Sequence, residues 1–171
     1  ALGLKPQHIV AAQVLDNGPV WLSLLLDSVQ TVLQLTPKHQ DLINLGQKVG
    51  VAAVEYAQAA PVLIARSNRE ARAFGGSGSA DASPDGDATP AHVEVRAFAA
   101  PVGINEDPVT GSLNAALAQW LIADGHAPAR YVASQGACLG RDGRVSIEQD
   151  AQGQVWVGGE TVTCIDGSVS L

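Results

Sequence analysis

Segment 112–122 is apolar nearly all round. Leu113, Ala116, Leu117, Trp120 and Leu121 recur at i, i+3, i+4, i+7 and i+8, one stripe of an α-helix. Ala115, Ala118 and Ile122 make the remaining faces apolar as well, and Gly125 supplies the stop. Such a helix has little surface to turn toward water and is expected to be enclosed nearly all round. The chain has 171 residues, 46% hydrophobic and 16% charged, enough apolar mass for one domain built around that helix.

Strand patterns supply the wall. Residues 9–15 read as a strand ending at Asp16-Asn17-Gly18-Pro19, a tight-turn signal, and 21–26 read as its return. Asp27 and Ser28 can cap a short helix reaching Leu35. Thr36 and Pro37 suit the N-cap and first turn of a second helix, which carries Leu42, Ile43 and Leu45 and stops at Gly46. Residues 49–56 and 62–66 read as strands. In 92–99, Val93, Val95 and Ala97 alternate with His92, Glu94 and Arg96, the pattern of a half-buried strand. Further strands are expected at 131–134, 145–148, 155–157 and 162–165, joined by Asp142-Gly143, Gln152-Gly153 and Asp166-Gly167. Strands, two helices, strands, one buried helix and more strands make an α+β order, not an alternating βαβ one. The expected architecture is a curved, largely antiparallel, barrel-like sheet wrapped around a central buried helix, a single domain over 1–171.

Residues 75–91 contain no large apolar side chain and are expected to form a mobile surface loop inserted in that domain. Asp81, Asp85 and Asp87 do not have the spacing of a calcium loop, and no metal site is expected. The net charge of −7, with no basic patch, argues against nucleic-acid or polybasic membrane partners. No apolar run is long enough to span a bilayer and no signal peptide is visible, so a cytoplasmic location is expected. Cys138 and Cys164 form neither a redox pair nor a zinc motif. Cys164 alternates with Val162 and is expected to be a small buried hydrophobe, whereas Cys138 follows a turn and can be exposed. The chain opens on Ala1 and holds no methionine, which suggests a fragment, a processed chain or a trimmed form.

Chemistry concentrates at Gly103-Ile104-Asn105-Glu106-Asp107-Pro108-Val109-Thr110-Gly111-Ser112, which runs straight into the buried helix. The first amides of a helix lack partners and carry positive potential. Gly111 admits a ligand to that backbone, and the Thr110 and Ser112 hydroxyls add donors, so the segment suits a carboxylate or phosphate. Asp107 lies beside that place; a carboxyl facing a bound anion is driven toward its protonated form and can serve as a general acid or hydrogen-bond donor. The competing reading is that Asp107 or Thr110 only caps the helix. Glu106, next to Asp107, is expected to pair with a cation such as Arg96 or stay solvated.

The run Val95-Arg96-x-Phe98 followed by Gly103-Ile104-x-Glu106-Asp107-Pro108-x-Thr110-Gly111-Ser112 resembles the PhzF family of phenazine-biosynthesis isomerases, built on the diaminopimelate-epimerase fold. Gln135-Gly136-x-x-Leu139-Gly140-Arg141, Val155-x-Val157-Gly158-Gly159, Asn17-Gly18-Pro19 and the opening Ala1-Leu2-Gly3-Leu4 extend the resemblance over most of the chain. It implies one lobe, the second, of a two-lobed, cofactor-free isomerase, commonly a homodimer, acting by proton transfer on a small carboxylate-bearing molecule in the cleft between lobes. It implies Asp107 as the catalytic group of this lobe and Ser112, Gly111 and Thr110 as substrate-binding residues. The related racemases use two cysteines; here Asp107-Pro108 stands where they carry one, which favours the isomerase branch. The family's first-lobe glutamate and Gly-His segment have no counterpart, and His8, His39, His92 and His126 sit in other contexts. The chain alone is therefore expected to be inactive and to lack its N-terminal lobe. The alternative is a carboxylate-binding or oligomerising domain that catalyses nothing.

Overall fold

The computed structural model describes residues 1–56 and 91–170. Eight strands form one sheet: β1 (Ile9–Asp16), β2 (Val20–Leu26), β3 (Val49–Tyr56), β4 (Ala91–Ala99), β5 (Ile104–Asp107), β6 (Arg130–Gln135), β7 (Gly143–Gln149) and β8 (Val155–Gly158). The order is β1-β2-β3-β4-β6-β7-β8; β2–β3 and β4–β6 are parallel and the other pairs antiparallel. β3 lies along the whole of one edge of β4. The other edge is shared: β6 pairs with residues 92–95 and β5 with Ala97 and Ala99.

Three α-helices complete the described fold: α1 (Val29–Gln34), α2 (His39–Leu45) and α3 (Gly111–Ala123). α3 lies in the hollow of the sheet. Leu113, Leu117, Ala118 and Leu121 pack into one core with side chains from β1, β2, β3, β4, β6, β7 and β8. The expected curved sheet around a buried helix is what forms. β3 comes close to the helix at Gly50, where an added Cβ would sit 2.4 Å from Leu113 Cδ1.

The opposite face of the sheet is also covered. α1 and α2 pack Val32 and Leu42 over Val49, Val51, Ala53 and Phe98, a second core that the strand pattern does not announce. Ser28 caps α1 as expected, its hydroxyl accepting the Thr31 amide at 3.1 Å. α2 starts later than its Thr36-Pro37 signal suggests, at His39. The backbone around Lys38 stays extended because the Lys38 amide donates to the Ala1 carbonyl at 2.7 Å.

This second layer changes the reading of β4. Val93, Val95 and Ala97 face α3 as expected, but Glu94 and Arg96 are buried rather than solvated. Arg96 donates through Nε and Nη2 to both oxygens of Glu106, at 2.9 and 2.8 Å, and through Nη1 to the carbonyls of Val32 and Leu35 at the end of α1. One guanidinium thus ties β4, β5 and α1, with side chains only 5% and 7% exposed across the ion pair. Burial alone would lower the Arg96 pKa; the hydrogen bonds and charge of Glu106 outweigh that and raise it. Glu94 differs: His92 approaches its Oε2 at 3.4 Å, while Oε1 is buried without a partner. Burial raises its pKa, opposed by His92 and by the charges of Arg144 and Arg96.

The expected strand at 162–165 does not form. Residues 159–170 carry no regular structure, with Val162 86% and Ile165 92% exposed. Cys164 is exposed, not buried, and so is Cys138. A β-prone sequence becomes a strand only beside an edge that accepts its hydrogen bonds, and no edge of this sheet does so. The expected strand at 62–66, the aspartates at 81, 85 and 87, and all of the 75–91 loop but Ala91, which opens β4, lie outside the described residues. No helix among the described residues is long and apolar enough to cross a membrane.

Three variants test this packing by chemical denaturation. Gly50→Ala should cost about 1–3 kcal/mol, because fully buried Leu113 has no room to retreat. Glu106→Gln should cost about 3–5 kcal/mol, because it leaves the Arg96 charge buried without its partner. Glu94→Gln should stabilise the protein at neutral pH. A carboxyl with a raised folded-state pKa contributes stability at low pH and loses it as pH rises from the ordinary value near 4.5. The advantage of Glu94→Gln over the parent should therefore grow as pH rises above that value; a constant difference would contradict it.

Candidate functional site

Topology assembles the site. Asp107 ends β5 opposite Ala97, and Gln135 ends β6 opposite Val95. Two strands approaching the same edge of β4 from opposite ends thus bring Gln135 and Asp107 together. Pro108 to Thr110 then turn the chain into α3. The turn is held close by β7, for an added Cβ on Gly143 would lie 2.4 Å from Val109 Cγ2 and 2.6 Å from the Gln135 carbonyl.

Strand alternation separates the adjacent carboxylates. Glu106 goes to Arg96, the first of the two expectations for it, and Asp107 goes to the start of α3. The Thr110 hydroxyl donates to Asp107 Oδ2 at 2.7 Å. Gln135 Nε2 donates to the Asp107 carbonyl at 2.8 Å and to Thr110 Oγ1 at 2.9 Å, while its Oε1 accepts the Thr110 amide at 3.1 Å and the Asn114 side-chain amide at 2.8 Å. Thr110, at the N-cap position, makes no side-chain cap, and neither does Asp107. The capping reading of this segment is not what forms: the side chains that by type would cap α3 bond to each other instead.

α3 therefore begins with its positive end open. Gly111 is exposed, and a Cβ built on it would meet nothing within 4 Å. It lines, with Val109, a pocket of about 780 Å³ walled by Gly143, Arg144 and Gly158. Of the four sequence-predicted residues only Gly111 lines this pocket; Asp107 and Ser112 are half-buried beside it and Thr110 is buried. Ser112 is braced from behind, its carbonyl accepting from Asn17 Nδ2 at 2.8 Å and its hydroxyl from Trp21 Nε1 at 3.4 Å. Arg144 is the cation of the pocket wall; it pairs with Asp142 at 2.7 Å and donates to the Ser134 hydroxyl. Among the described residues, no three His, Cys, Asp or Glu side chains converge as metal ligands.

Sequence reasoning missed Gln135 as part of the site, although a signal exists. Tyr131, Ala133 and Gln135 share one face of a strand by its period of two, and the first two are core residues. A glutamine on that face has to be paired inside, and an orphaned group such as the start of α3 is where it pairs. The roles of Trp21 and Asn17 depend on where the β1–β2 turn meets α3 and leave no local signature.

Comparison with known proteins agrees with the resemblance drawn from segment 103–112. Residues 1–167 match PhzC-PhzF, the phenazine biosynthesis-like protein family. Antisense-enhancing sequence 1 of Schizosaccharomyces pombe is 27% identical over 163 residues, covering 90% of this chain and 45% of that protein. A PhzF-family protein of Bacillus anthracis superposes with a TM-score of 0.56 at 14% identity, over 91% of this chain and 48% of its own. One from Enterococcus faecalis gives 0.54 at 22%, over 95% and 50%. A predicted epimerase of Pseudomonas aeruginosa gives 0.55 at 20%, over 93% and 46%. The chain spans about half the length of these relatives. With the match running from Ala1 through the last strand of the sheet, the chain belongs to the PhzC-PhzF family of phenazine biosynthesis-like proteins.

Proposed function

We propose that this chain is the second lobe of a cofactor-independent isomerase or epimerase that moves a proton on a small carboxylate-bearing molecule. The observation that carries the reading is the open start of α3: an uncapped helix end, Gly111 on a pocket of about 780 Å³, and Asp107 held beside it by Thr110. Membership of the PhzC-PhzF family and the fold shared with a predicted epimerase support the reaction class.

In this reading the substrate carboxylate docks against the Gly111 and Ser112 amides, where the helix dipole favours negative charge. Ser112, with the Trp21 N–H behind its oxygen, keeps its own proton free to donate forward. Asp107 accepts from Thr110 at Oδ2 and keeps Oδ1 for the reacting molecule, which it orients or with which it exchanges a proton. The second proton-transfer group belongs to an N-terminal lobe that closes the cleft, so this chain alone is inactive. Closure by that lobe excludes water, which strengthens both the anion contact and the proton transfer. A homodimer of two-lobed chains in the cytoplasm completes the proposal.

The test uses the two-lobed protein and reads solvent-deuterium incorporation into candidate cyclic and amino-acid carboxylates. Asp107→Asn should lower kcat/KM about a hundredfold or more with little change in Tm, because the amide cannot exchange the proton. Ser112→Ala should act mainly on KM, by roughly 1–3 kcal/mol for one charge-assisted hydrogen bond. Parental turnover in Asp107→Asn would overturn the assignment. Saturable carboxylate binding without incorporation in the parent would instead identify a binding module.

A further inference from the structure

We infer that Gln135 is a positioning residue of this site: it turns the Thr110 hydroxyl away from the start of α3 and onto Asp107. Two obligate partners fix the amide. The Thr110 backbone N–H can only donate, so the atom 3.1 Å from it is Oε1; the Asp107 carbonyl can only accept, so the atom 2.8 Å from it is Nε2. Asn114 Nδ2, anchored on the Thr110 carbonyl at 2.9 Å, donates to the same Oε1 and reinforces that choice. The second Nε2 proton therefore points at Thr110 Oγ1, 2.9 Å away. A hydroxyl accepting there has its own proton to place, and the acceptor within reach is Asp107 Oδ2 at 2.7 Å. Donation runs one way: Gln135 to Thr110, Thr110 to Asp107. Gln135 is only 1% exposed and all its polar positions are filled, so water does not compete for them.

The consequence is double. One oxygen of Asp107 is committed and the other left for a ligand. A threonine at the N-cap, whose oxygen ordinarily accepts an amide two or three residues on, is kept from doing so. The Ser112 and Leu113 amides thus stay without a side-chain cap, which is what an anion needs there.

The inference rests on the reading of Asp107 as the site carboxylate only for its effect on catalysis; its structural part is tested without substrate. Amide hydrogen exchange of Ser112 and Leu113 is followed by NMR in this chain and four variants. Thr110→Val should exchange as the parent does, because the hydroxyl caps nothing; faster exchange at Leu113 would mean that Thr110 is the cap and would overturn the inference. Gln135→Met should slow that exchange about fivefold as the released hydroxyl swings back to cap α3. Adding Thr110→Val to Gln135→Met should restore the parental rate, an outcome that a purely structural glutamine does not produce. A folded Gln135→Met with parental exchange, or a double variant as slow as the single one, would refute it. Gln135→Glu separates the two effects. Its carboxylate keeps the Thr110 hydroxyl away from the start of α3 by accepting the hydroxyl proton, which in the parent goes to Asp107. Amide exchange should stay parental, while kcat for deuterium incorporation in the two-lobed protein falls about tenfold or more at unchanged KM. Parental kcat there would overturn the link to Asp107, whereas a parent with no turnover would count against the isomerase reading and leave the exchange results standing.

Discussion

A thirteen-residue helix that buries Leu113, Ala116, Leu117, Ala118, Trp120 and Leu121, and leaves only the side of Gln119 and Ala123 exposed, cannot rest on a flat sheet, because a flat sheet covers one face and leaves the rest in water. Most of this molecule follows from enclosing α3. The sheet curls so that strands from β1 to β8 reach the same core, and Gly50 lets one strand come close enough to seat Leu113. Burying the sides of α3 leaves its ends as the places where polar backbone meets the surface. Its first amides carry the positive end of the helix, and the fold puts them beside a pocket.

Two neighbouring carboxylates show how one strand serves two places in the fold. β5 alternates, so Glu106 and Asp107 leave it in different directions. Glu106 completes the Arg96 pair that fastens β5 and α1 to β4. With β5 fastened one residue away, Asp107 is delivered to a fixed place by a rigid neighbour rather than by a loop. The pair thus holds the site without taking part in it.

Among the described residues the sheet does not close: β1 and β8 end its strand order, and beyond β8 an extended segment leaves Val162 and Ile165 in water. A strand needs a partner for its backbone as well as a suitable sequence, which is why the alternation at 162–165 is not enough by itself. The relatives whose fold this chain shares are about twice as long.

Much was legible in the sequence. The period of α3, the Asn17-Gly18 turn, the Ser28 cap and the Gly46 stop each express a local rule, and each formed where its residues said. The helix start at Gly111, with its glycine exposed, was legible for the same reason, since helix ends and glycine act locally. What the sequence could not decide was which partner each polar side chain takes. Glu94 and Arg96 read as a solvent face until α1 and α2 cover them, and Cys164 reads as buried until its strand finds no neighbour. Asp107 and Thr110 are both good capping residues by type; in the fold their side chains bond to each other instead, and Gln135, 25 residues beyond Thr110, arrives at the end of another strand to donate to the Thr110 hydroxyl. Periodicity and capping are properties of neighbouring residues, so the amino-acid order determined them. Burial and pairing are properties of residues that meet only when the sheet curls around α3, so tertiary structure alone decided them.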